Sequence, residues 1–278
     1  MTIRKLLGSV IALVVVGTAG YRYLFHQIPL DLNDVVRSEY TKKQSSDDMV
    51  AEVGLPELTR SRSEKIIQHT GYTVSYNDEL KLPNWVAWVL TPERFNDVVS
   101  RTDDFLPDPE VEDPVTTDDY KHSGYDRGHM CPAADNKWNE QAMKESFYMT
   151  NICPQNHNLN RGDWKELEDA CREWTYQNKT LYVVCGPLLY DRKHKTIGQH
   201  KVVVPDAFYK VVLSLTPPKA IGFIYKNTSG NKPLDAYVNS VDQVERLTGI
   251  DFFPDLPDSV EQEVEAECEI NDWEFPSH

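Results

Sequence analysis

The sequence predicts an α+β domain with a mixed, mainly antiparallel central sheet flanked by helices. Short runs rich in β-branched and aromatic residues follow one another without long helices between them, which argues against a doubly wound parallel sheet. Amphipathic helical stretches lie among these runs. The chain carries neither an internal repeat nor a low-complexity block.

Taken in order, the first strands are expected over 73–76 (TVSY) and 85–90 (WVAWVL). A helix is expected over 139–148, and the next, over 163–176, has the most informative pattern. Trp164, Leu167, Cys171 and Trp174 recur at steps of three and four and give it one apolar face. Asp163 is the expected N-cap. Glu168 and Arg172 are four apart and share another stripe of the same helix. Strands then follow over 181–185, 201–204, 208–215 and 221–225, with helices over 238–248 and 258–267.

The N-terminus has the layout of an export signal. Arg4 and Lys5 precede an uncharged run, LLGSVIALVVVGTAG, over residues 6–20. Extended over residues 6–25 with Arg22 reaching to the interface, the run would serve as a membrane anchor, so a cleaved signal and an uncleaved anchor both stay open. Either way the expectation is an exported protein, periplasmic or extracellular. The boundaries read as 1–20 signal or anchor, 21–61 polar tether, 62–257 main domain and 258–278 acidic helix and tail. From residue 247 onward there is no Lys or Arg, which reads as a solvated acidic end. In an oxidising compartment the five cysteines would form one or two disulfides, and the odd count leaves at least one thiol unpaired.

A formal charge of −15 argues against a protein that lives by neutralising phosphates. An enzyme that binds a divalent cation and releases its product tolerates an acidic surface, provided that its cleft is locally positive. The chemistry-bearing segments are SGYDRGHMCP over 123–132, FYMTNICPQ over 147–155 and LNRGDWKELE over 159–168. His129 suits a general base, because an imidazole near its ordinary pKa is neutral at physiological pH. Asn160 offers a neutral amide oxygen of the kind magnesium accepts while keeping most of its waters.

Together these segments resemble the DNA/RNA non-specific endonuclease family, the endonuclease G-like nucleases with a ββα-metal, or His-Me finger, active site. NWVAWVLT, FLPDP and LYVVCGP extend the resemblance over roughly residues 72–253. It implies a ββα-metal motif within residues 62–257, which become a non-specific endonuclease domain. The implied activity is metal-dependent, largely sequence-independent hydrolysis of phosphodiester bonds in DNA and RNA. The resemblance makes His129 the base, Asn160 the direct Mg²⁺ ligand (Mn²⁺ being an alternative ion) and Glu168 a contributor to the metal through water. Arg127 and Arg172 match family arginines that brace the phosphate and the glutamate, and Arg101 is a further match. Asn151 and Gln155 stand where the family has site-shaping amides, and Asp126 reads as a structural partner of its loop. A homodimer is left open. Competing readings are a catalytically degenerate nucleic-acid-binding module and a phosphodiesterase acting on small substrates.

Overall fold

The computed structural model describes residues 46–266, 268, 272 and 273, all within one unit running over Tyr40–His278. The expected signal or anchor at 1–20, residues 21–45 of the tether and much of the acidic tail lie outside the described residues. In chain order the structure starts with helix α1 (Ser46–Val53) and strands β1 (Glu57–Leu58), β2 (Lys65–Gln68), β3 (Thr73–Asn77) and β4 (Leu82–Leu90). It continues with β5 (Asp126–His129), α2 (Glu140–Ser146), β6 (Ile152–Gln155), α3 (His157–Arg161) and α4 (Asp163–Asn178). Strands β7 (Leu181–Leu188), β8 (Thr196–Ile197), β9 (Val202–Val203), β10 (Ala207–Leu215), β11 (Pro218–Lys226) and β12 (Val238–Asn239) follow. Helix α5 (Val241–Thr248), strand β13 (Ile250–Asp251) and helix α6 (Asp258–Ala266) complete the order.

The central sheet has seven strands in the order β12-β11-β10-β7-β4-β3-β2. Each of its pairings is antiparallel, so the expected mixture of directions narrows to one. Strands β4 and β10 are buried along their whole length, which requires cover on both faces. Side chains alternate along β10, and the alternation sorts the helices. Phe208 packs against Trp164 of α4, with ring centroids 5.6 Å apart, while Tyr209 on the other face packs against Phe252 at 5.5 Å. Val211 stands opposite Gly222, where a Cβ would come within 2.7 Å of Val244 on α5. Helix α4 therefore covers one face and α5 the other.

Four local expectations change. Residues 202–203 pair with 196–197 in a small separate ribbon rather than joining the main sheet. The stretch expected as one helix over 238–248 is divided, because the Ser240 side chain accepts from Gln243 N and starts the helix there, leaving 238–239 to pair with β11. Asp163 is the first helical residue, Gly162 holds the cap position, and the Asp163 carboxylate accepts from the Tyr237 hydroxyl instead. Within the expected tether, α1 buries Met49 and Val53, one helical turn apart, and β1 pairs with β13.

Candidate active site

The DRGH segment, absent from the expected strands, is β5. It pairs antiparallel with β6, setting Asp126 opposite Gln155 and His129 opposite Ile152. Gly128 permits this approach, since a Cβ there would lie 2.1 Å from Gln155 Oε1. Asn151 fixes the chain beyond the strand. Its Oδ1 accepts from Cys131 N at 2.8 Å, and its Nδ2 donates to the carbonyls of Cys131 and Ser146, each at 2.8 Å. Gln155 is fully buried, and neither of its amide atoms has a hydrogen-bond partner.

His129 is 9% exposed and packs between Phe105 and Phe147, at centroid distances of 5.3 and 4.9 Å. Trp164 Nε1 donates to its backbone carbonyl at 3.3 Å. The ring Nε2 is buried without a protein partner. Burial, joined by the positive charges of Arg101 and Arg127, depresses the imidazole pKa to about 3. The ring is therefore neutral.

Asn160, on α3, donates through Nδ2 to Asp126 Oδ2 at 3.0 Å, and Asp126 Oδ1 meets His157 Nδ1 at 3.1 Å. Burial would raise the Asp126 pKa, but the hydrogen bonds from Asn160 and His157 outweigh it and hold the carboxyl below its ordinary value. With its nitrogen engaged, Asn160 keeps its amide oxygen as an acceptor. Glu168, on α4, has its pKa raised to about 7 by burial, against the opposing pull of Lys210 and Arg172. Arg172 does not hydrogen-bond to Glu168, as the bracing role implied. Its guanidinium engages Asp135 at 2.8 Å and Asp169, because the fork reaches one turn back and across to the η-turn at 133–136.

One cavity of about 380 Å³ is lined by His129, Asn160 and Glu168 together with Arg101, Arg127 and Arg172. Arg161 and Lys165 join the wall, so five cationic side chains face one carboxylate there. This locally positive cleft answers the objection raised by the chain's net charge of −15. An adjoining cavity of about 460 Å³ shares Arg101, Arg127, Asn160 and Arg161 and includes Asp126, Lys121 and Tyr125. Asn151 and Gln155 stand behind the wall. The amide oxygen of Asn160 and the carboxylate of Glu168 are hard oxygen donors on one cavity wall, of the kind that could hold a cation such as magnesium.

Several contributors escaped the sequence reading. Arg161 and Lys165 were signalled by their place beside Asn160 and on the helix of Glu168. Asp135 carried no signal, yet it is 2% exposed and accepts from both Arg172 and Trp88 Nε1, the latter at 3.2 Å. Lys210, 1% exposed, places Nζ 4.6 Å from the Trp164 ring centroid and 5.4 Å from that of Trp88. Burial would lower its pKa, but coulombic coupling to the neighbouring acidic groups, Cys185 and Glu168 first among them, raises it above the ordinary value.

A strand hairpin followed by helices, presenting a buried histidine and an asparagine to one cationic cavity, defines a nuclease of the ββα-metal class. The chain belongs to the DNA/RNA non-specific endonuclease family, whose sequence pattern matches residues 50–259. It is 37% identical over 227 residues to the mitochondrial nuclease EXOG of Danio rerio, covering 75% of this chain and 65% of that protein's length. It is 31% identical over 224 residues to the mitochondrial endonuclease G of Homo sapiens, covering 74% of each. A chain of the EndoG/EndoGI complex superposes with a TM-score of 0.70 at 30% identity, over 78% of this chain and 95% of that one.

These relatives correct the expected localisation. The EXOG and endonuclease G relatives are named mitochondrial, which overturns the reading of an exported, periplasmic or extracellular protein. The physical reason is that a basic, acid-free stretch with apolar residues is common to secretory and organellar addresses, and residues 1–30 contain no acid. No helix among the described residues is long and apolar enough to cross a membrane, and the stretch read as signal or anchor lies outside them. The disulfide expectation falls too: four of the five cysteines, Cys131, Cys153, Cys171 and Cys185, are free and buried. Burial pushes the Cys171 and Cys185 thiols up to about 12.

Proposed function

We propose that this chain is a metal-dependent endonuclease that hydrolyses phosphodiester bonds of DNA and RNA with little regard for sequence. The observation that carries the reading is the convergence of His129, Asn160, Glu168 and the arginines on one positive cavity. His129, neutral and with Nε2 unpaired, takes the proton from the attacking water. Arg101 and Arg127, stacked on Phe147 and Phe105 with Cζ 5.3 and 4.2 Å from the ring centroids, bind the phosphate oxygens and orient the backbone. Asn160 and Glu168 would hold the divalent cation, Mg²⁺ before Mn²⁺, the asparagine as the direct ligand and the glutamate through water. When bound, that cation supplies positive charge against the charge that builds on the phosphoryl oxygens. Arg172 holds Asp135 and places its charge near Glu168, while Asp126 aims Asn160.

Recognition rests on backbone phosphates, since the cavity wall is made of cations and small residues rather than a base-reading surface. The compartment proposed from the relatives' names is the mitochondrion. A tagged full-length chain found outside that organelle would remove this part of the reading. The activity is tested by incubating plasmid DNA and a structured RNA with the chain, in Mg²⁺ and in EDTA, beside His129→Ala and Asn160→Ala. Magnesium-dependent loss of both substrates, abolished in each variant, is the expected result. Folded wild-type protein that leaves both substrates intact in Mg²⁺ and in Mn²⁺ refutes it.

A further inference from the structure

On the sheet face opposite α4, five carboxylates converge where α5, β13 and α6 meet. Asp242 and Glu245 come from α5, Asp251 from β13, and Glu261 and Glu265 from α6. Carboxylate oxygens of Asp242, Glu245 and Glu265 lie within 4.8 Å of one another, and so do those of Asp251, Glu261 and Glu265. Glu265 thus belongs to both groups. Among the described residues the five make one ion pair, between Asp242 and Arg246 at 3.8 Å. Glu245 accepts from Phe252 N at 2.9 Å and Asp251 from Phe253 N at 3.2 Å.

Glu265 separates this group from an ordinary acidic surface. It is 6% exposed, and its Oε1 is buried with no hydrogen-bond partner. Such a carboxyl, with one oxygen shut away from water and unpaired beside four others, can ionise only if a cation is there to meet it. A cation between the two groups would supply the missing partner for that oxygen and offset the mutual repulsion of the rest.

We propose that these carboxylates form a structural calcium site, separate from the nuclease cavity, with Glu265 as its central ligand. Calcium takes six to eight oxygens at about 2.3–2.6 Å, so ligand atoms up to about 5 Å apart can share one ion. Magnesium requires a tighter octahedron and rarely takes an all-carboxylate cage. The bound ion ties α6 to α5 and to β13, which itself pairs with β1. It fastens the acidic C-terminal helix to the sheet in a region where the sequence, from residue 247 on, offers no Lys or Arg to do so.

The experiment uses the full chain with Asn160→Ala, which silences the cation position proposed in the nuclease cavity. The protein is stripped with EDTA, dialysed and titrated with CaCl₂ by calorimetry and by thermal unfolding. One equivalent of calcium is expected to bind, raising the melting midpoint by roughly 5 °C or more at a hundredfold excess over Kd. Adding Glu265→Gln should abolish both effects while melting no lower than its parent in EDTA, since a neutral amide replaces a carboxyl that stays neutral without the ion. Adding Glu261→Gln, on the half-exposed side, should weaken binding by about tenfold. Absence of calcium binding in the Asn160→Ala protein, or binding unchanged by both glutamine substitutions, overturns the proposal.

Discussion

Trp164 Nε1 donates to the backbone carbonyl of His129 over 3.3 Å, joining the helix that carries Glu168 to the strand that carries His129. The same indole packs on Phe208 and meets Lys210, so one fully buried side chain references both halves of the site to the central sheet. Without this anchor, hairpin and helix could shift against each other with little change in the rest of the core.

Trp164→Phe keeps most of the packing but leaves the His129 carbonyl without its donor. We expect a loss of about 1–2 kcal/mol in urea unfolding. The kcat should fall by roughly tenfold with KM within about twofold, because the reacting groups lose alignment rather than affinity. A raised KM at unchanged kcat would show that the indole supports substrate binding instead.

The buried imidazole sets a pH dependence of stability. Folded, His129 stays neutral down to about 3, whereas an unfolded histidine takes a proton near its ordinary value of 6.5. Below about 6.5 the unfolded chain therefore binds a proton that the folded chain does not. Stability from this group is fully present above that point and falls on acidification, at about 1.4 kcal/mol per pH unit. In urea unfolding at several pH values, His129→Asn should lack this increment, and its stability relative to wild type should improve steadily from pH 7 to pH 5. Parallel curves for the two proteins would mean that the imidazole protonates normally.

Glu168 acts in the opposite sense. Its pKa stands near 7 in the fold against an ordinary 4.5, so between those values the folded chain holds a proton that the unfolded chain has released. Stability falls as pH rises through that window, and the cost is complete above it. Glu168→Gln should be more stable than wild type at pH 8, by an amount on the order of 1–3 kcal/mol in metal-free buffer. It should also lose most of its cleavage activity. A variant that is both less stable and inactive would show that the carboxylate is a structural partner first.

Arg172 supports Asp135, which is buried and would be left without a charge partner by truncation, with only the Trp88 indole to donate to it. Arg172→Ala should cost about 3–5 kcal/mol by thermal or chemical unfolding. Arg172→Lys restores the charge but not the two-pronged contact to Asp135 and Asp169, and should recover only part of the loss. Equal stability of the lysine variant and wild type would reduce the interaction to charge alone.

The thiols give a simple count. Four of the five cysteines, Cys131, Cys153, Cys171 and Cys185, are free and buried, and each has its pKa raised. A thiol reagent should leave these four unmodified in the native protein and reach them only on unfolding. Two or more fast sites would contradict the burial.

Much of the architecture was legible because its signals are local. The 3–4 spacing of Trp164, Leu167, Cys171 and Trp174 predicts the helix that covers the sheet, and β-branched runs predict β4, β7, β10 and β11. Short elements were not legible. DRGH has too few residues for a period and becomes a strand only through its pairing with β6. Ser240 divides a stretch that apolar spacing alone would have made one helix.

By itself, the sequence determined the family and the α+β class and singled out several of the residues that line the cavity, among them His129, Asn160 and Glu168, since types and spacing survive without coordinates. Only the tertiary structure decided that His129 is neutral and unpaired, that Glu168 is pushed towards neutrality, and that Arg172 pairs with Asp135 and Asp169. It also brought Asp242, Glu245, Asp251, Glu261 and Glu265 together beneath an acidic C-terminal stretch that had read as solvated. The reason is that ionisation and pairing depend on burial and on distances between groups far apart in the chain. Those distances exist only once the sheet has drawn its strands, and the helices packed on them, into place.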